Sequence, residues 1–380
     1  MLCNNVRYGY NDVMIQPCAV SDVEHRYQCN PFIGKVSYPT EEYDMLPIFA
    51  APMSTVVDLN NYDTFYKNHI YAIIPRNIDW ERRKAWIEHG DWVAVSLKEF
   101  EDYICVFTNF EKMHPSYNLK ILIDVANGNM SKIFELCKKA KAVHGEHLTI
   151  MAGNIANIDT YIQYCECGID YCRVSIGTGA GCITASNTAI GDGIASLIDE
   201  FYLEKNARSI HNRFYTKIIA DGGVRNYSDI IKALSLGADY VMVGGLFASC
   251  LESAGEVYEK DAADNHSKID KSAIRREDGN FVTYDTPYGD RCIHPLLYKE
   301  FYGMASKYGQ IAINGKKTKT SEGIKKEVLI TTDLPTWSDN MCAYLRSAMS
   351  YCGIFDIKDF NPQHVTVQVI SNNVRDSINK

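Results

Sequence analysis

The stretch YCRVSIGTGAGCIT, residues 171–184, decides how this chain is read. Its first half is a β-branched run that reads as a strand through Ile176, and it opens directly into Gly177, Gly179 and Gly181 around one cysteine, Cys182. Glycine tolerates positive φ and lets backbone groups crowd a ligand, so a glycine-rich loop at the end of a strand presents that cysteine in a cradle. No bulky side chain comes just before Cys182, and Thr184 follows two residues on. The bland alternative is a small buried thiol, which is what most cysteines are.

Outward from this stretch the same pattern recurs. Apolar runs read as buried strands at 46–51, 70–74, 92–96, 119–124, 148–152, 171–176, 217–220 and 240–243, and amphipathic segments at 132–140 and 228–234 carry apolar residues at helical spacing. Such runs alternating with helices predict parallel strands covered by helices. Eight of them close a (β/α)8 TIM barrel, whose chemistry sits at the strand C-terminal ends. Those ends are polar or glycine-rich here: Asp124, Gly153-Asn154, Gly177 to Cys182, Asp221-Gly222-Gly223 and Gly244-Gly245. A doubly wound open sheet is the structural alternative, but it does not call for polar residues on so many successive strands.

Residues 257–299 are rich in Asp, Lys, Asn and Tyr without a strong period, and are expected to be a partly mobile insertion. A second polar stretch, 314–326, reads as a mobile flap, and the tail holds a helix over 339–351 and a strand over 365–370. The whole of 1–380 is thus expected to be one barrel domain with an insertion and a flap.

Net charge of −8 gives no general reason to approach nucleic acid or an anionic membrane surface. The apolar stretches fall short of the roughly 20 residues a membrane span needs. Thirteen cysteines without a framework spacing, behind an N-terminus with no apolar signal segment, read as reduced thiols of a cytoplasmic protein.

Asp221-Gly222-Gly223 and Gly244-Gly245 end the last two strands, where this fold cradles phosphate on backbone amides. Two tight turns are the plainer reading. Asp221 beside them is placed to accept ribose hydroxyls. Cys165, Cys167 and Cys172 lack the paired spacing of a structural zinc site, and the ten histidines form no hydrolase signature. Lys316 to Lys319 read as a solvated flap that is able to reach an anionic cofactor.

Taken in order, these motifs resemble the IMP dehydrogenase/GMP reductase family of purine-nucleotide oxidoreductases. SIGTGAGCIT (175–184) is similar to the family's GIGPGSVCTT, IMAGN (150–154) to its AGN strand, IIADGG (218–223) and VMVGG (241–245) to its phosphate strands, and FYGMAS (301–306) to the segment that holds the base. IDVANG (123–128), SAGE (253–256) and the flap lean to the reductase branch. The dehydrogenase's Arg-Tyr pair is replaced by Thr318 and Lys319, so the base that activates water is missing. The regulatory CBS domain that most dehydrogenases insert has no room between Asn77 and Trp92.

The resemblance implies NADPH-dependent reductive deamination of GMP to IMP and ammonia through a covalent thioimidate on Cys182, with Thr184 and Glu322 relaying a proton. It also implies nucleotide contacts from Asp221, Gly222, Gly223, Gly244, Gly245, Tyr302, Gly303, Met304 and Gly323. Asp124, Val125, Ala126 and Lys319 are implied for NADPH, the carbonyls of Gly177, Gly179 and Cys182 for potassium, and a homotetramer for the assembly. The chain departs from the reductase pattern at Ser54, where an aspartate is expected, at Arg76, which replaces a His-Lys pair, and at Thr318-Lys319, which replace Tyr-Arg. The departures leave room for a modified purine nucleotide. An IMP dehydrogenase without its regulatory domain and a nucleotide-binding protein without turnover are the competing readings.

Overall fold

Runs such as Trp92–Val95, buried at every position, offer no polar face and fold only where both sides are covered. In the computed structural model eight such strands lie side by side and parallel: Ile48–Ala50, Tyr71–Ala72, Trp92–Val95, Leu119–Asp124, Leu148–Ile155, Tyr171–Val174, Lys217–Asp221 and Tyr240–Val243. They are barrel strands one to eight. Sheet order runs two, one, eight, seven, six, five, four, three, and the ring closes where Ile74 bridges Val93. The structure describes residues 6–38, 40–106, 118–179, 181–260, 266–277, 280–285, 291–293, 296–315, 320–371 and 374–375.

Alternation along each strand builds two cores. Phe49, Trp92, Leu122, Met151, Ile219, Tyr240 and Met242 fill the lumen, while Ile48, Val93, Ile121, Ile150 and Val241 face the helices. Two residues beyond the lumen-filling Leu122, Tyr171 and Ile219, the same period brings Asp124, Arg173 and Asp221 to the strand ends. The helices between strands start on Asp79, Asn157 and Asn226, whose side chains accept first-turn backbone N–H groups. One of them, Trp80–His89, occupies the connection from strand two to strand three, so no regulatory domain is inserted there.

The expected strand near the C-terminus is present as Thr366–Val369, paired antiparallel with Val13–Gln16. Residues 257–299, which show no period in sequence, carry strands where the structure describes them. Val257–Lys260 and Leu297–Tyr302 pair antiparallel in a four-stranded sheet, flanked by His266–Ile269 on one side and Lys325–Leu329 on the other. Ion pairs such as Lys268–Glu256 and Lys260–Glu327 decorate this sheet, which is why apolar alternation did not reveal it. Among the described residues no helix is long and apolar enough to cross a membrane.

Candidate active site

A cavity of about 570 Å³ opens at the C-terminal ends of the barrel strands. Strand six ends in the thiol loop, closed by a hydrogen bond from the Cys182 amide to the Gly179 carbonyl at 2.9 Å. Cys182 is half-buried, whereas nine of the eleven cysteines whose side chains the structure describes are buried. Burial pushes the thiols of Cys105, Cys137, Cys172 and Cys250 up from their ordinary pKa, which leaves them poor nucleophiles.

The Cys182 thiol donates to the Thr184 hydroxyl at 3.2 Å, and that hydroxyl donates to Glu322 Oε2 at 2.7 Å. Sequence separates Thr184 from Glu322 by 138 positions, and backbone pairing brings them together. Cys182 bridges Gly323, the Ile183 amide donates to the Glu322 carbonyl at 2.9 Å, and the Ile324 amide donates to the Gly181 carbonyl at 3.0 Å. From the other side the Gly303 amide donates to the Ile324 carbonyl at 3.2 Å. Three segments thus meet at Gly181, Gly303 and Gly323.

The approach requires glycine. A Cβ on Gly303 would lie 2.6 Å from the Gly181 carbonyl oxygen, and one on Gly323 2.9 Å from the same atom. Gly303→Ala is therefore expected to cost about 1–3 kcal/mol of stability. It should also lower turnover by pushing the Glu322 arm off Thr184. Thermal melts read beside turnover check this, and an alanine variant with parent turnover would rule out the tight junction.

At the other end of the cavity Arg173 holds two carboxylates. Its Nη1 donates to Asp124 Oδ1 at 2.7 Å and its Nε to Asp221 Oδ2 at 2.8 Å, while Asn154 Nδ2 donates to the same Asp221 oxygen at 2.8 Å. Burial works against the guanidinium charge, but Asp221 and then Asp124 raise its pKa beyond the ordinary value. Arg76 Nη1 donates to the Asp124 carbonyl at 3.1 Å. Sequence reasoning missed Arg173, reading it as part of a β run.

Asp124, Val125, Ala126, Gly177, Gly179, Cys182, Thr184, Asp221, Gly222, Gly223, Gly244, Gly245, Gly303, Met304 and Glu322 line this one cavity. Tyr302 and Gly323 are not among its lining residues; Phe301 takes that position, and Tyr302 turns its hydroxyl to Ser54 Oγ at 3.2 Å. Ser54, where an aspartate was expected, therefore has a polar partner on the strand Leu297–Tyr302. Lys319 lies outside the described residues, as do Lys316 to Thr318. Gly222 and Gly223 adopt positive φ of 104° and 73°, and the Gly223 amide donates to the Thr178 carbonyl at 3.0 Å, which ties the Asp221 turn to the thiol loop. Among the described residues no cluster of three or more His, Cys, Asp or Glu side chains is arranged to hold a metal ion.

The IMP dehydrogenase / GMP reductase domain model matches residues 110–277, which hold the thiol loop and the ends of strands four to eight. A GMP reductase of Clostridium acetobutylicum is 30% identical over 303 residues, 75% of this chain and 86% of that protein. GMP reductases of Staphylococcus aureus (29% identical over 92% of this chain and 93% of the relative) and Streptococcus agalactiae (27% over 97% and 96%) extend the similarity to nearly the full length.

Proposed function

The chain belongs to the IMP dehydrogenase/GMP reductase family and is an oxidoreductase acting on purine nucleotides; from that premise we propose that it reduces GMP to IMP and ammonia at the expense of NADPH. The observation that carries this reading is the chain of contacts from Cys182 through Thr184 to Glu322.

In the proposed sequence the Cys182 thiol gives its proton through Thr184 to Glu322, and the thiolate adds to C2 of the guanine. Glu322 returns that proton through Thr184 to the 2-amino group, which leaves as ammonia, so a thioimidate remains on sulfur. Reduced nicotinamide supplies a hydride to C2 when bound, and the C–S bond breaks to release IMP. A carboxylate that takes and then returns one proton balances the first half without help from solvent. Asp221 offers Oδ1 to the ribose, because Oδ2 is committed to Arg173 and Asn154. Gly222, Gly223, Gly244 and Gly245 are assigned to the phosphate, Gly303 and Met304 to the base, and Asp124, Val125 and Ala126 to the nicotinamide.

Potassium is assigned to the thiol loop on donor chemistry: Gly177, Gly179 and Cys182 offer neutral backbone oxygens along one loop, and hard cations take oxygen ligands. Held there, the ion would stiffen the loop that carries the thiol.

The dehydrogenase alternative needs a base for water. Among the described residues Arg76 and Arg173 are the basic side chains lining the cavity, and both are engaged with Asp124. That engagement favours a reductase. The test is spectrophotometric: NADPH absorbance should fall with GMP, and no reduced nicotinamide should form from IMP with NAD. Reduced nicotinamide accumulating steadily in the second mixture would reverse the assignment.

A further inference from the structure

Lys299 stands on the inward-facing line of the strand Leu297–Tyr302, between Leu297 and Phe301, where alternation calls for an apolar side chain. It is 1% exposed. Its Nζ donates to the carbonyl oxygens of Cys250, Leu251 and Ser253 at 2.8, 2.7 and 2.7 Å. Among the described residues no carboxylate lies within ion-pair distance of it, and Glu252 Oε2 accepts instead from the Leu334 amide. Three acceptors match the three N–H bonds of an ammonium, whereas a neutral amine has only two and would leave one of the carbonyls without a bond from it. Burial, and then Lys271, whose Nζ donates to the same Ser253 carbonyl at 2.7 Å, press the amine to lose its proton. The carbonyl dipoles press the other way.

A ring of backbone oxygens around one positive charge is the arrangement that binds a monovalent cation. Here the cation arrives on a side chain. It also joins parts of the molecule that matter to the cavity. The turn that carries the three carbonyls follows Gly245–Ala248, the short helix at the end of strand eight. Lys299 itself lies two residues before Phe301, in the strand that runs into Gly303 and Met304 and pairs with Lys325–Leu329, the arm just past Glu322.

We propose that Lys299 is a tethered monovalent cation: its ammonium fills a site built from the Cys250, Leu251 and Ser253 carbonyls, and so positions the cavity wall at residues 301–304. Cutting the side chain back therefore uncovers a site for a small alkylammonium ion. Lys299 is a positioning residue and touches no reacting atom. The proposal holds whichever nucleotide the cavity takes.

Lys299→Ala in the full chain removes the three carbons and the nitrogen of n-propylammonium. The variant is expected to melt below the parent in choline chloride. n-Propylammonium chloride should restore most of that difference and tetramethylammonium chloride, at the same ionic strength, none. KM for the nucleotide should rise about tenfold with kcat changed less, since a shifted wall at 301–304 weakens ground-state and transition-state binding alike, and propylammonium should reverse the rise. Lys299→Met fills the channel without a charge, so neither salt should help it. Should the alanine variant fail to fold in choline, its refolding yield in the two salts is read in the same way. An equal response to both salts, or an alanine variant that melts like the parent, overturns the proposal.

Discussion

Cys182→Ala is expected to lose turnover by about a million-fold, the scale seen when a covalent nucleophile is removed, while the nucleotide still binds within a few-fold of the parent. Binding survives because the groups assigned to phosphate, ribose and base come from strands seven and eight and from 301–304, and none of them leans on the sulfur. Chemistry is lost because, among the cysteines whose side chains the structure describes, no second thiol reaches the cavity. Of the ten others whose side chains are described, nine are buried, and exposed Cys18 is not among the residues lining the cavity. Burial raises the pKa of Cys105 to about 11 and that of Cys342 likewise to about 11, so neither supplies appreciable thiolate at neutral pH. Turnover is followed by NADPH absorbance and binding by nucleotide-induced change in melting temperature. Near-normal turnover in the alanine variant would remove Cys182 from the reaction; loss of binding as well would mean the thiol loop had collapsed. Cys182→Ser separates these two, because its hydroxyl still reaches Thr184 and keeps the loop while offering a far weaker nucleophile.

The barrel was legible because its strands are buried on both faces, so 92–95 or 240–243 show no polar interruption and eight such runs count out a ring. The thiol loop and the Gly222-Gly223 turn were legible for a different reason: they need glycine at positions of positive φ or close approach, and glycine is visible. Arg173 was not read, although its charge sits in an apolar strand between Cys172 and Val174. Counting by two from Leu122, Tyr171 and Ile219 would have placed Asp124, Arg173 and Asp221 at neighbouring strand ends, where one guanidinium joins two carboxylates. Lys299 hides behind the reverse error. A lysine in a polar stretch reads as solvated, and only its carbonyl ring, drawn from a turn nearly fifty residues away, shows that it is core. Tyr302 was assigned to the nucleotide by its motif, but alternation along Leu297–Tyr302 sends Phe301 to the cavity side and Tyr302 towards Ser54.

Glu322→Gln is expected to slow ammonia release by about a hundred- to ten-thousand-fold, the usual worth of general acid–base catalysis, with GMP affinity within a few-fold of the parent. Glutamine keeps the size and still accepts from Thr184, and the backbone pairs from Glu322 to Ala305 and Ile183 do not involve the side chain. What it loses is the ability to hold a proton between the thiol and the departing amine. Ammonia leaves before the hydride arrives, so the step is read directly by mixing enzyme with GMP alone and timing the ammonia formed in the first turnover. Equal losses in that rate and in GMP binding would assign Glu322 a structural role. The relay is tested more sharply by Thr184→Val, which breaks the path at its middle. Groups that pass one proton act as a unit, so the double variant should be no slower than the slower single one, in the way coupled catalytic residues fail to add. If the two losses multiply instead, Thr184 and Glu322 act independently, and the proton reaches the 2-amino group by another route.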